Sequence, residues 1–477
     1  MKILFAAAEI APLTKVGGLA DVMRSLPAEL IKHGHDVRVI VPKYGFVDYS
    51  CHKATEILTG FTVLALGECR KISVEQIELD GIPVYLLSAD IFRRAHAVYG
   101  ESEVEKFWVF CDCVSEVIGR LGWQPDIVHC NDWHTALIPM LARKNREAYR
   151  TIFTIHNIRY QGYFDEWMLV KSGTTGGYWN AGIPGMPYVP WNLMTQGILW
   201  ADVINAVSPT FAGEILTSEG GYGMQEILAF RRDRLSGIRN GLGWAEYDPA
   251  NDDLITAKYS FDGLDGKLIN KLELEKVAGW GEDSGIPIVG MVARLDEQKG
   301  MDIIPEALSE VFKEENMRFV FLGRGSAYYE EALRRLESRY PANIRAFITF
   351  DNSKAHLIYA GSDLFLMPSK WEPCGLGQMI AMRYGTIPIV RKTGGLSDTV
   401  SNLSTDLKRG TGFMFDSFEA SELTATIKRA AQSFADKAAW KRIVQRIMKQ
   451  DLDWTEPVLQ YELLYRKVLG MDADEKT

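Results

Sequence analysis

Short apolar runs, many β-branched and each ended by turn residues, alternate along this chain with longer stretches of helical periodicity. That alternation limits the possible folds more than any other feature. The first series is KILFAAAE, DVRVIVP, DIVHCND, RTIFTIHN and DVINAVSP. Between its first two members lies LADVMRSLPAELIKHG, a helical pattern ending at Gly34. Strands buried on both faces read as near-continuous apolar runs, and strand–helix alternation marks a doubly wound parallel sheet. The series halts at IRNGLGWAEYDPANDDL, where Asn, Gly, Asp and Pro crowd together. It restarts with IPIVGMVAR, RFVFLGRG, IRAFITF, DLFLMP and TIPIVR. The length of 477 residues is too great for one ordinary core. The periodicity therefore predicts two α/β units in series, 1–243 and 244–455, with their boundary in the turn-rich stretch.

Bulk properties exclude several classes. A net charge of −9 argues against a chain built to coat nucleic acid or an anionic membrane, while leaving room for a local basic pocket. No apolar run reaches the roughly 18 residues of a membrane-spanning helix. The opening MKILFAAAEIAPL is apolar, but Glu9 interrupts it and a Gly-Gly loop follows, so it reads as a first strand and not as a signal peptide. Six cysteines form no CxxC pair, which suits reduced thiols in a cytoplasmic protein. Cys111 and Cys113 lie in FWVFCDCVSEVIG, a helical pattern, and read as structural.

The two halves echo each other. Lys15 to Val22 reads KVGGLADV, and Lys392 to Val400 reads KTGGLSDTV. Each alone reads better as an ordinary tight turn with capping polar residues. Together, in two facing doubly wound sheets, they would line opposite walls of a cleft, where ligands bind beyond the carboxyl ends of strands. Arg294 and Lys299 in ARLDEQKG follow a strand and suit phosphate, one by bidentate contact and the other as a point charge. No Walker loop is present, and the GRG at Gly323 to Gly325 is too short to be a dinucleotide fingerprint. Asp451-Leu452-Asp453 reads as a solvated turn. His33-Gly34-His35 lacks a nearby acidic third ligand. The expectation is no metal, with phosphate charge offset by Arg294, Lys299, Lys15 and backbone dipoles.

Polar groups suited to a hydroxyl-rich ligand stand at two further strand ends: Asp132 and His134 in HCNDWHTAL, and His156 and Asn157 in TIHNIRYQGYF. Trp133, Tyr160, Phe164 and the stretch GGYWNAGIPGMPYVPWN suit either sugar stacking or core. Glu372, in LFLMPSKWEPCGLGQ, suits sugar hydroxyls or positive charge at an anomeric carbon. It equally suits the cap of a helix beginning near Gly375. A sugar nucleotide accounts for the whole set.

These motifs fall in the order found in bacterial glycogen synthases and plant starch synthases, which the chain resembles over nearly its whole length. The resemblance rests on KVGGLADV, HCNDWHTAL, TIHNIRYQG, AVSPTFAGEI, GYGM, ARLDEQKG and PSKWEPCGLGQMIAMRYGTIPIVRKTGGLSDTV. It implies the GT-B fold, with two facing Rossmann-like domains, an interdomain cleft and a terminal helix (456–477) returning to the first domain. It implies retaining transfer of glucose from ADP-glucose to the 4-hydroxyl end of an α-1,4-glucan such as glycogen, without metal or other cofactor. By motif, His156, Arg294, Lys299 and Glu372 would be catalytic. Lys15, Gly18, Asp21, Tyr99, Asp132, Asn157, Asn240, Cys374, Gly375, Thr393, Gly394 and Gly395 would bind substrate. The chain departs from the family pattern at Arg24, Lys106, Arg159, Thr195, Gly243 and Ile380. A non-catalytic glucan-binding relative, or a transferase of another nucleotide sugar, is the alternative. Under the enzymatic reading, Arg294→Ala or Lys299→Ala lowers turnover and leaves folding intact.

Overall fold

The computed structural model describes residues 1–100, 102–173, 190–243 and 247–471. The chain divides into two compact units, Met1–Gly241 with Trp454–Thr477, and Leu242–Asp453.

The first unit is built on nine strands among its described residues. They are β1 (Lys2–Ala6), β2 (Asp36–Pro42), β3 (Thr55–Ala65), β4 (Glu68–Leu79), β5 (Ile82–Ser88), β6 (Ile127–Asn131), β7 (Arg150–Ile155), β8 (Val203–Ala206) and β9 (Leu235–Gly237), in the spatial order β3-β4-β5-β2-β1-β6-β7-β8-β9. All pairings from β5 through β9 are parallel. Strands β3, β4 and β5 form an antiparallel edge that the apolar-run pattern did not reveal. The reason is physical: β3 is mostly exposed and carries irregularities in its register, so its sequence has no continuous apolar signature.

The helix Gly18–Lys32 turns Leu19, Val22, Met23, Leu26 and Leu30 inward, a 3.6-residue stripe that packs on β1 and β2. Helix Glu103–Arg120 is buried on several sides, which encloses both Cys111 and Cys113. The helix Thr455–Val468 belongs to this same unit and delivers Trp454, Val458, Tyr461 and Tyr465 into its core. Two hydrogen bonds fix its register: the Tyr465 hydroxyl meets His129 Nδ1 at 2.9 Å, and Asn205 Nδ2 donates to the Tyr461 hydroxyl at 3.1 Å.

Among its described residues the second unit carries six parallel strands: β10 (Ile288–Val292), β11 (Arg318–Leu322), β12 (Ile344–Phe347), β13 (Leu364–Met367), β14 (Ile387–Arg391) and β15 (Phe413–Phe415). Their order is β12-β11-β10-β13-β14-β15. The order runs outward in both directions from β10 and β13, so the strand-end loops beside that reversal can diverge and leave room for a ligand.

Candidate functional site

In the first unit, three neighbouring strands, β1, β6 and β7, deliver Glu9, Asp132 and His156 just past their carboxyl ends. Asp132 is buried with φ +57° and ψ 178°, a backbone region occupied almost only by glycine. Its own side chain holds it there: Oδ1 accepts the backbone N–H of His156 at 2.7 Å and of Asn157 at 3.2 Å. Burial lifts this carboxyl to about 7, against the pull of those two N–H groups.

The same burial pushes His156 down to about 3, so its imidazole is neutral. Its tautomer follows from the network. Asn131 Nδ2 donates to the carbonyls of Ala6 and His129, so Asn131 Oδ1 is the acceptor facing His156 Nε2 at 3.0 Å. Nε2 therefore carries the proton and Nδ1 the lone pair.

Glu9 is a site residue that the sequence disclosed only as an interruption in an apolar run. Its Oε2 accepts the N–H groups of Val16 (2.7 Å) and Gly17 (3.1 Å), and its Oε1 accepts the Tyr99 hydroxyl at 2.9 Å. It thereby pins the loop that carries Lys15 and leads into Gly18, the first residue of its helix. Burial raises its carboxyl, and Asp21 adds to the rise. Lys15 is ion-paired with Asp21 at 2.7 Å.

The aromatic alternatives separate cleanly. Trp133 is core, packed edge-on against Phe107 and beside His134. His134 is buried among Tyr99, Phe107 and Trp133, and its Nδ1 finds no partner among the described residues. Phe164 lies edge-on to Trp108, and Tyr160 is exposed. The stretch from Gly176 to Asn192 lies almost wholly outside the described residues. Asn240 is buried, and its Oδ1 finds no partner among the described residues.

In the second unit, β10, β13 and β14 are neighbours, and the loops after them converge. Lys299 Nζ lies 2.7 Å from Glu372 Oε2, and Ser369 Oγ donates to the same oxygen at 2.8 Å. Glu372 is not the side-chain cap of the following helix, which starts at Gly377 and whose N-cap has no side-chain bond. Asp296 caps the short turn Glu297–Lys299 by accepting the Lys299 N–H. Gln298 ties that turn to the Glu372 loop through the Trp371 carbonyl and the Lys370 N–H. Arg294, about half exposed, lies 3.2 Å from Gln298 Oε1 and 3.5 Å from Asp296 Oδ2.

The glycines after β14 serve a close approach between backbones. A Cβ on Gly394 (φ +41°) would stand 2.0 Å from the Glu372 carbonyl oxygen, and one on Gly395 would stand 2.1 Å from that of Cys374. The Gly395 N–H donates to Glu372 O at 3.0 Å. Gly375, at φ +71°, gives the turn its left-handed residue. Cys374 and Thr393 are buried beside it in sequence and at the next strand end.

One sequence expectation needs correction. His33 and His35 do meet an acid: Glu462 Oε1, from the terminal helix, is 3.4 Å from His33 Nδ1 and 2.8 Å from His35 Nε2. More than 400 residues of chain separate them, so no local pattern could show it. Even so, among the described residues no group of three His, Cys, Asp or Glu side chains is placed to hold a metal ion. Among the same residues, no helix is long and apolar enough to cross a membrane.

The departures from the family pattern are accommodated locally. Arg24 pairs with Asp80 at the surface, and Arg159 lies over the Tyr222 ring. Thr195 is buried with its hydroxyl on Asn192 Oδ1, and Lys106 Nζ reaches the Ala97 carbonyl.

Comparison with known proteins gives this arrangement a family. Residues 2–230 match the model of the starch synthase catalytic domain, and residues 274–445 match that of the group 1 glycosyl transferases. Glycogen synthase 2 of Geobacter sulfurreducens is 41% identical, over 98% of both chains. Glycogen synthase of Geotalea daltonii is 40% identical, over 98% of this chain and 99% of the relative. Among solved structures, the catalytic domain of starch synthase IV from Arabidopsis thaliana, bound to ADP and acarbose, is similar with a TM-score of 0.90. It is 33% identical, over 98% of this chain and 99% of that one. Sucrose-phosphate synthase of Thermosynechococcus elongatus, 17% identical with a TM-score of 0.63, shares the fold, which is GT-B. The chain belongs to the glycogen and starch synthase family of glycosyltransferases.

Proposed function

We propose that this protein is a glycogen synthase that transfers glucose from ADP-glucose to the 4-hydroxyl at the non-reducing end of an α-1,4-glucan, with retention of configuration and without a metal. The observation that carries the reading is the Lys299–Glu372 pair, both partners largely buried, with Arg294 more exposed on the same loop. A departing ADP gathers negative charge on its terminal phosphate. Fixed ammonium and guanidinium groups stabilise that charge more in the transition state than in the ground state, which lowers the barrier. Glu372 supplies the carboxylate for sugar hydroxyls or for positive charge at the anomeric carbon. Lys299 orients it through the ion pair, and Ser369 through its hydrogen bond.

His156, neutral, would accept a sugar hydroxyl at Nδ1. Asp132 acts through it by gripping the backbone of His156 and Asn157. Glu9 and Tyr99 would hold the Lys15–Gly18 loop in its binding shape. The Gly394–Gly395 turn keeps the Glu372 backbone in register. Support for donor and acceptor comes from the relatives: two are named glycogen synthases, and the Arabidopsis structure holds ADP and acarbose.

Incubation with ADP-glucose or UDP-glucose, with and without glycogen, tests the reading. ADP release that depends on glycogen is the expected result. No release above background, or a strong preference for UDP-glucose, overturns it.

A further inference from the structure

A second basic site lies in the Leu242–Asp453 unit, at the opposite end of β13 from Glu372. A cavity of about 310 Å³ opens there between the helices Asp265–Val277 and Lys437–Met448, beside Asp363, which immediately precedes β13. Four lysines line it, Lys267, Lys271, Lys437 and Lys441, against one carboxylate, Asp363. The remaining wall is mostly apolar, with Phe434 and Trp440 set edge to face at 5.0 Å.

The four cations are not equivalent. Lys271 donates to the carbonyls of Ser284 and Ile286 and to Asp363 Oδ2, which uses all three of its N–H groups and spends the one carboxylate. Lys267 is likewise saturated, but only by neutral acceptors: the Ala360 and Tyr384 carbonyls and the Thr386 hydroxyl. Desolvation pushes its ammonium down to about 7, against the pull of nearby Asp363. The other two stand at the rim. Lys437 and Lys441, four residues apart on one helix, share a face and are exposed. Lys437 rests its ammonium 3.0 Å from the Phe434 ring centroid. Asp436, the N-cap beside it, spends an oxygen on the Ala439 N–H. Two rim ammoniums with donors to offer, the Lys271–Asp363 pair behind them and an aromatic floor describe a receptor for a compact organic dianion.

We propose that this cavity is a ligand site separate from the proposed donor site, taking a small metabolite that carries a phosphate monoester. Its phosphate would bind between Lys437 and Lys441, and its carbon skeleton would rest on Phe434 and Trp440. The volume lies at the low end of the roughly 300–1,000 Å³ usual for ligand pockets, which suits a sugar phosphate and not a nucleotide. The site is independent of the glucosyl-transfer reading, because none of its residues serves there.

Isothermal titration of the full chain with glycerol phosphate, ribose phosphate and a hexose phosphate tests this, with ADP held saturating to block any diphosphate site. Inorganic phosphate and glycerol serve as the two half-ligands. At least one of the organic phosphates is expected to bind more tightly than either half-ligand. The double variant Lys437→Ala, Lys441→Ala should weaken that binding by about tenfold or more, and the Lys437→Arg, Lys441→Arg pair should retain it. Both lysines are exposed, so the double variant should melt as the parent does and release ADP from ADP-glucose at the parent rate without the probe. Absence of binding by all three organic phosphates, or binding indifferent to the alanine pair, overturns the proposal. Binding no tighter than inorganic phosphate overturns the role of the aromatic floor.

Discussion

Lys299 and Glu372 hold opposite charges where water scarcely reaches, with side chains 17% and 6% exposed. Removing one partner strands the other, at a cost of about 3–5 kcal/mol for a buried pair. Intact folding is therefore expected of Arg294→Ala and not of Lys299→Ala, since the Arg294 side chain is 47% exposed. We expect Arg294→Ala to lower turnover by about 10²–10³ at an unchanged melting temperature. Lys299→Ala should lower both turnover and melting temperature, and steady-state ADP release with thermal melts separates the two cases. Asp132 gives a second prediction. Its carboxyl titrates near 7 when folded, against about 3.9 unfolded. The folded chain thus keeps a proton that the unfolded chain has lost. This contribution to stability is complete below about pH 4 and disappears as pH rises through 7. Asp132→Asn keeps an oxygen for both N–H groups and removes the titration, so its melting temperature should gain on the parent's between about pH 4 and 7. His156 works in the opposite direction. Its folded value is depressed to about 3, so its contribution is present above about 6.5 and is lost as pH falls towards 3. A gap between the two melting curves that does not change with pH would contradict the Asp132 assignment.

Elements differ in how openly the sequence displays them. Strands buried on both faces, such as β6 and β11, are legible as apolar runs because nothing else needs such runs in a short segment. Strand β3 faces solvent over most of its length, and β9 and β15 have three residues each, too few to set a period. The positions of Asp132, His156, Arg294 and Glu372 were legible because each closely follows a buried apolar run that the sequence displays. Glu9, Gln298 and Ser369 were not, since their roles consist of contacts with loops 7 to 73 residues away or with a neighbour's side chain. At this scale, Gly394→Ala places a methyl group against the Glu372 carbonyl, so it should displace that loop and reduce ADP release as severely as loss of Lys299. The terminal helix is equally testable. Tyr465→Phe leaves buried His129 Nδ1 without its partner and should cost about 1–3 kcal/mol in urea unfolding. A variant as stable as the parent would show that this bond does not anchor the helix.

At the scale of the molecule, the same solution is used twice. Each unit is built on a sheet whose central strands are parallel, and its candidate residues follow adjacent parallel strands, three of them in each case. A parallel sheet gathers such loops at one edge because every strand ends there, so residues far apart in sequence become neighbours without long-range design of the backbone. The chain then closes on its own beginning. The segment from Trp454 is part of the first unit, and its tyrosines complete a core that β1, β2 and β6 begin. The central claim is that the second unit's cations receive the diphosphate of the donor. A crystal structure with ADP bound tests it most directly. The account predicts Arg294 guanidinium and Lys299 ammonium nitrogens within about 3.2 Å of terminal phosphate oxygens, past the ends of β10 and β13. A diphosphate bound elsewhere, touching neither side chain, would contradict it.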